Sequence, residues 1–160
     1  MGASYGGFSA LAGLTLTPEV FVAGVSSVGI SNLLTHYDTY PSYWFKARFR
    51  VRVGDPEKDA DMLKARSPLS HVDRIQAPLL IAHGANDARV NVHESEQIVA
   101  AMRAAGKPVE YFLYQDEGHR QWRPINKIHL YGKVEEFLAR HLGGRFEPAT
   151  EMSGNAGIAK

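Results

Sequence analysis

The 160-residue chain reads as an α/β domain with a mostly parallel sheet, for two reasons. Short apolar runs suited to strands covered on both faces, at 21–26, 79–83 and 109–114, alternate with stretches of helical period. Strand, helix, strand, helix in that order implies parallel neighbours joined by right-handed crossovers.

The elements follow in order. Residues 8–16 are small and apolar, suited to a buried helix that Thr17-Pro18 ends. The first strand is expected over 21–26. Ser31 is positioned to cap a short helix through Leu34. Residues 36–54 are aromatic and basic with no clean period and read as an irregular excursion with one short helix. Asp55-Pro56-Glu57 looks like a helix start, with Asp55 as N-cap and Pro56 in the first turn. Met62, Leu63 and Ala65 would form that helix's buried side. Ala77-Pro78 leads into a strand that Gly84 closes. A helix over 92–105 carries Ile98, Val99 and Met102 at helical spacing and stops at Gly106. A strand over 109–114, a polar loop over 115–120 and a helix over 125–141 complete the domain. Gly143-Gly144 ends the helix, and the small, polar residues 143–160 are expected to be a disordered tail.

Composition narrows the function classes. Apolar residues make up 44% and charged residues 22%, an ordinary globular mixture. The formal net charge is +1 and no basic block occurs, which argues against a nucleic-acid partner. Lys46, Arg48, Arg50 and Arg52 alternate with Ala47, Phe49 and Val51 and read as a half-exposed segment. With no cysteine, disulfides and thiolate chemistry are excluded and a reducing cytoplasm would suit the chain. No apolar run approaches the ~20 residues that span a bilayer, so no membrane is expected. The histidines show no metal-binding spacing, since His93-Glu94 lacks a second histidine at the required position. No metal and no cofactor are expected.

The chemistry concentrates in three places. Gly2-Ala3-Ser4-Tyr5-Gly6 matches Gly-x-Ser-x-Gly, a turn that exposes a serine between a strand and a helix. Side chains two residues to either side of Ser4 would collide there, hence the glycines; Gly7 adds room for the helix start. Asp87 lies just past the carboxyl end of one expected strand and His119 just past the next, where ligands gather in open parallel sheets. Serine, acid, histidine is also the chain order of α/β-hydrolases. The expected site is therefore Ser4 as nucleophile, His119 as base and Asp87 as the acid that orients it. The backbone N–H of Tyr5 is expected to be an oxyanion donor.

The segments Gly2-Ala3-Ser4-Tyr5-Gly6-Gly7, Ser67-Pro68-Leu69 with His71-Val72, residues 78–90 and Glu117-Gly118-His119 resemble the catalytic domain of the prolyl oligopeptidase family. The acylaminoacyl-peptidase and dipeptidyl-peptidase branch is the most similar in flavour. The resemblance covers 1–142 as a partial α/β-hydrolase domain. It implies a serine peptidase acting on oligopeptides or acyl-peptides through an acyl-enzyme. Gln121-Trp122-Arg123-Pro124 departs from the Gly-Phe usual after the family's catalytic histidine. The alternatives are a carboxylesterase of the same fold, or an inactive piece that associates with a partner. The family also builds part of its substrate surface where 37–52 falls.

Met1-Gly2-Ala3 is too short to be the strand that an elbow requires. The chain is therefore expected to be the C-terminal part of the fold, with its N-terminal strands missing and weak or no hydrolysis by itself. An open sheet edge would then offer another copy of the chain a surface for homo-oligomer formation.

Overall fold

The computed structural model describes residues 1–40, 43–120 and 123–148, with the backbone alone at Tyr43, Trp44 and Ile158–Ala159. Its elements are β1 (Gly2–Ala3), α1 (Tyr5–Leu16), β2 (Gly24–Ser27), α2 (Leu33–Thr39), α3 (Tyr43–Arg52), α4 (Ala60–Arg66), β3 (Leu79–Gly84), α5 (His93–Ala104), β4 (Val109–Tyr114), α6 (Pro124–Leu142) and β5 (Ile158–Ala159). A kinked 3-10 segment, Pro68–Arg74, precedes β3.

The sheet order is β1-β2-β3-β4-β5. β1 to β4 are parallel, as the alternation of runs predicts. Leu79 pairs with Val109 and Gly84 with Tyr114, so β3 and β4 end level. β5 lies antiparallel on β4, Leu113 opposite Ile158; Ile158 and Ala159 fall within the residues 143–160 expected to form a disordered tail, yet they pair with the sheet.

Alternate residues of each strand face opposite layers. Leu79 and Ile81 of β3 and Tyr111 and Leu113 of β4 join Leu11 and Leu14 of α1 and Ile98, Val99 and Met102 of α5 in one core. On the other face, Val25, Leu80, Ala82, Phe112 and Tyr114 pack against Leu130, Val134 and Phe137 of α6. The result is three layers, helix–sheet–helix. A third cluster, Ile30, Leu33, Phe49, Leu63 and Val90, holds the α2–α4 excursion together.

Five local expectations differ from what forms. The two residues Gly2–Ala3 do make a strand, Gly2 opposite Ser26 and Ala3 opposite Ser27. The strand expected over 21–26 starts at Gly24 instead, and Phe21 and Val22 stay exposed. Pairing begins there because the Gly24 N–H donates to the Pro78 carbonyl at 3.0 Å, while a Cβ at Gly24 would meet Leu14 Cδ1 at 2.4 Å. The short helix expected to reach Leu34 runs on to Thr39 as α2, and α3 fills most of the remaining excursion. Asn32, not Ser31, caps α2, its side chain accepting from the Leu34 N–H at 3.0 Å. Asp55-Pro56-Glu57 forms a turn, the Lys58 N–H donating to the Asp55 carbonyl at 3.0 Å, and α4 starts later with Asp59 at its N-cap.

Ser31 is diverted by a buried carboxylate. Glu94, 1% exposed in the first turn of α5, accepts the Ser31 N–H at 3.0 Å and the Asn32 N–H at 2.9 Å. The Ser31 hydroxyl donates to the Glu94 carbonyl at 2.6 Å, and the Thr35 hydroxyl donates to the Glu94 carboxylate. These bonds fasten the start of α2 to α5. Glu94→Ala would orphan both N–H groups, and urea unfolding is expected to register a loss of about 1–3 kcal/mol.

Candidate active site

Ser4 sits between β1 and α1 with φ 57° and ψ −121°, a conformation costly for a residue with a Cβ. Its N–H donates to the Ser27 carbonyl at 2.9 Å, which ties the turn to β2. Glycine is needed where the chain passes closest. A Cβ on Gly2 would lie 2.1 Å from the Gly6 carbonyl oxygen, and one on Gly7 would lie 2.7 Å from Gly29 Cα. Gly6 has open space around it, so the steric argument holds for Gly2 and Gly7 but not for Gly6. Tyr5 begins α1, where the first N–H groups have no carbonyl one turn back. The positive end of the helix thus lies beside the Ser4 hydroxyl.

Asp87 and His119 come from the loops that follow β3 and β4. Backbone bonds join those loops: Ala85 N–H to the Tyr114 carbonyl at 2.8 Å and Asn86 N–H to the Glu117 carbonyl at 2.9 Å. At Gly84 the second loop passes so closely that a Cβ would lie 2.2 Å from the Gly118 carbonyl oxygen. Buried Asn126 at the start of α6 steadies the same loop, donating to Asp116 at 2.9 Å and to Glu117 at 2.8 Å.

The three side chains predicted from sequence meet. His119 Nε2 lies 2.9 Å from Ser4 Oγ, and His119 Nδ1 lies 2.7 Å from Asp87 Oδ2. Asp87 Oδ1 accepts the Arg89 N–H at 2.8 Å and the Val90 N–H at 2.9 Å. Burial by itself would push the Asp87 carboxyl up. Hydrogen bonds from His119 and His83 and from the N–H groups of Val90 and Arg89 outweigh it and hold the group well below the usual carboxylate range. Asp87 therefore stays an anion, able to fix the Nδ1–H tautomer of His119 and leave Nε2 free to accept a proton from Ser4.

A cavity of about 120 Å³ opens beside Ser4, its wall formed by Ile30, His36, Tyr40, Phe45 and Val90 with Tyr5 and Arg89 at the site. A wider cleft of about 460 Å³ lies on the other side of Ser4 and His119, bordered by Val28, Arg89, Lys127 and Tyr131. Val28 has φ 46°, strain in a β-branched residue at the end of β2. Of the stretch 37–52, Tyr40 and Phe45 reach the small cavity, stacked with ring centroids 5.5 Å apart. Phe49 and Tyr37 belong to the third hydrophobic cluster, and Arg50 pairs with Glu57 at 2.8 Å. Gln121 and Trp122 lie outside the described residues. His36 and Ile30 were not foreseen in the site. Nothing in their local pattern separates them from core positions, because the α2–α4 excursion brings them there. Among the described residues no cluster of three His, Asp or Glu side chains could hold a metal, and no helix is long and apolar enough to cross a membrane.

The parallel sheet with a serine, histidine and aspartate at its carboxyl end defines a domain of the α/β-hydrolase class. The model of the prolyl oligopeptidase family matches residues 1–145, and the chain belongs to that family. It is 51% identical over 152 residues to dipeptidyl aminopeptidase BIII of Pseudoxanthomonas mexicana, a match covering 92% of this chain and 22% of that protein. Dipeptidyl peptidase family member 6 of Caenorhabditis elegans is 43% identical over 153 residues, covering 92% of this chain and 21% of the relative. Among solved structures, Pyrococcus horikoshii acylaminoacyl peptidase superposes with a TM-score of 0.81 at 28% identity, covering 91% of this chain and 24% of that one. The chain thus spans about a fifth of the length of the curated relatives it matches, over the α/β-hydrolase part of the fold.

Two consequences are measurable. Gly84→Ala should push the His119 loop away from β3, destabilising the fold by about 1–3 kcal/mol and abolishing the reactivity of Ser4 toward a fluorophosphonate. His36 is 2% exposed, and burial pushes its imidazole from 6.5 down to about 4, Asp87 opposing and His119 reinforcing the shift. An unfolded chain takes up that proton near pH 6.5 and the folded one only near 4, so the unfolded state holds more protons in between. Stability contributed by the neutral ring is thus full above pH 6.5 and falls as pH drops toward 4. His36→Leu should flatten the Tm profile across that window, by the equivalent of roughly 3 kcal/mol at its acid end.

Proposed function

We propose that the chain carries the acyl-transfer centre of a serine peptidase, with Ser4 as nucleophile. The observation that carries this is the unbroken line from Ser4 Oγ to His119 Nε2 at 2.9 Å and from His119 Nδ1 to Asp87 Oδ2 at 2.7 Å. His119 takes the Ser4 proton as Oγ attacks the scissile carbonyl carbon, and the negative charge passes to the carbonyl oxygen. The Tyr5 N–H at the head of α1 stabilises that oxyanion. Asp87 supports the imidazolium that forms. When the tetrahedral species collapses, His119 delivers the proton to the leaving amine and an acyl-Ser4 ester remains. Water, deprotonated by His119, then releases the acid and restores Ser4.

Peptides with a dipeptide or acyl-aminoacyl unit before the scissile bond are the substrate class, which the dipeptidyl and acylaminoacyl relatives support. The residue whose carbonyl is attacked enters the small cavity walled by Ile30, Tyr40, Phe45 and Val90. With about 120 Å³ of room, that cavity favours compact apolar side chains.

Fluorophosphonate labelling tests the reading on this chain. A single covalent adduct on Ser4 is expected, lost in Ser4→Ala and reduced at least about 100-fold in His119→Ala. Folded protein that gives no adduct would overturn the assignment of Ser4. Cleavage of p-nitrophenyl esters, with dipeptide and acyl-aminoacyl anilides untouched, would overturn the peptidase part alone.

A further inference from the structure

His83 is the second imidazole at the acid, and the mechanism above leaves it unused. It stands fully buried near the end of β3, in a run whose other members are Leu79, Leu80, Ile81, Ala82 and Gly84. Its ring turns to the face covered by α5. Nδ1 lies 2.7 Å from Ser95 Oγ, and Nε2 lies 3.0 Å from the Val90 carbonyl oxygen and 3.4 Å from Asp87 Oδ2.

These partners assign the hydrogens. A carbonyl oxygen only accepts, so Nε2 carries a hydrogen and donates; in the neutral ring Nδ1 then accepts from the Ser95 hydroxyl. The Nε2–H is shared between the Val90 carbonyl and the longer arm to Asp87 Oδ2. The Asp87 carboxylate therefore meets four donors, two at each oxygen: the N–H groups of Arg89 and Val90 at Oδ1, and His119 and His83 at Oδ2. A carboxylate bonded at both oxygens cannot turn without losing a bond. The Val90 carbonyl adds a second constraint, because His83 also fixes the loop whose N–H groups hold Oδ1.

We propose that His83, anchored by Ser95, is a positioning residue that locks the Asp87 carboxylate and its loop in the orientation that receives His119. It acts through Asp87 and touches neither Ser4 nor substrate. The inference rests on the triad reading above, but its first test does not require catalysis.

Nitrogen-15 NMR of the histidine rings in the 160-residue chain should find His83 as the Nε2–H tautomer, with Nδ1 unprotonated. It should also show a slowly exchanging Nδ1–H proton on His119. A His83 found as the Nδ1–H tautomer overturns the proposal in the wild-type chain, whatever the variants do. His83→Gln keeps an N–H donor where Nε2 stands, whereas His83→Phe keeps an aromatic ring of similar bulk with no donor. The His119 proton should survive in His83→Gln and be lost to exchange with water in His83→Phe. Fluorophosphonate labelling should be slower by about 10- to 100-fold in His83→Phe and within about threefold of wild type in His83→Gln. Retention of the His119 proton and of labelling in His83→Phe, or equal losses in both variants, would reduce His83 to a space-filling role. If His83→Phe does not fold, Ser95→Ala takes its place, with faster exchange of the His119 proton expected and unchanged exchange counting against the proposal. A wild-type chain that shows both NMR signatures but no adduct would refute the peptidase reading and leave the positioning role of His83 standing.

Discussion

The level, parallel pairing of β3 with β4 is the constraint on which the candidate site depends. Because Gly84 stands opposite Tyr114, the loops that follow emerge side by side. Two backbone hydrogen bonds, from Ala85 and Asn86 to the carbonyls of Tyr114 and Glu117, hold them together. Glycine at 84 lets them approach within a distance that no side chain would permit. Asp87 and His119 are 32 residues apart in sequence, yet their separation in space is set by a few main-chain contacts. Rigid strands beneath short loops are what an arrangement sensitive to ångström-scale displacement needs.

The same end of the sheet concentrates strain and charge. Ser4 and Val28 are the two non-glycine residues with positive φ among those described. They terminate neighbouring strands and border the same cleft. Such strain persists where surrounding bonds over-determine the backbone: the Ser4 N–H is held by Ser27 and the Val28 N–H by Ala82. The buried anion of Asp87 is met by four donors, so the cost of burying its charge is offset locally. His36, close by, follows the opposite course and stays neutral as burial disfavours its charge.

The segment between β2 and β3 turns this end of the sheet into a walled site. α2, α3 and α4 close around Leu33, Phe49 and Leu63, and Glu94 fastens α2 to α5 through buried hydrogen bonds. One consequence is that Ile30, His36, Tyr40 and Phe45 stand beside Ser4. A second is that the aromatic residues of this stretch divide between the cavity wall and the packing that supports it.

The residue sequence alone determined the alternating elements, the parallel sheet and which serine, aspartate and histidine meet at its end, because each rests on local signals. Apolar runs and helical periods mark the elements, and Gly-x-Ser-x-Gly marks the elbow. Asp87 and His119 each follow a readable strand in a recognisable order. Tertiary structure decided what depends on partners distant in sequence. Gly2–Ala3 became a strand because β2 supplies its pairing groups. Ser31 gave up capping because Glu94, 63 residues on, binds it, and Leu33–Thr39 and Tyr43–Arg52 became helices around the core that Phe49 enters. The role of His83 has the same origin. In the sequence it is one polar residue in a strand run, and its bonds to Ser95, Val90 and Asp87 exist only after β3 and α5 pack together.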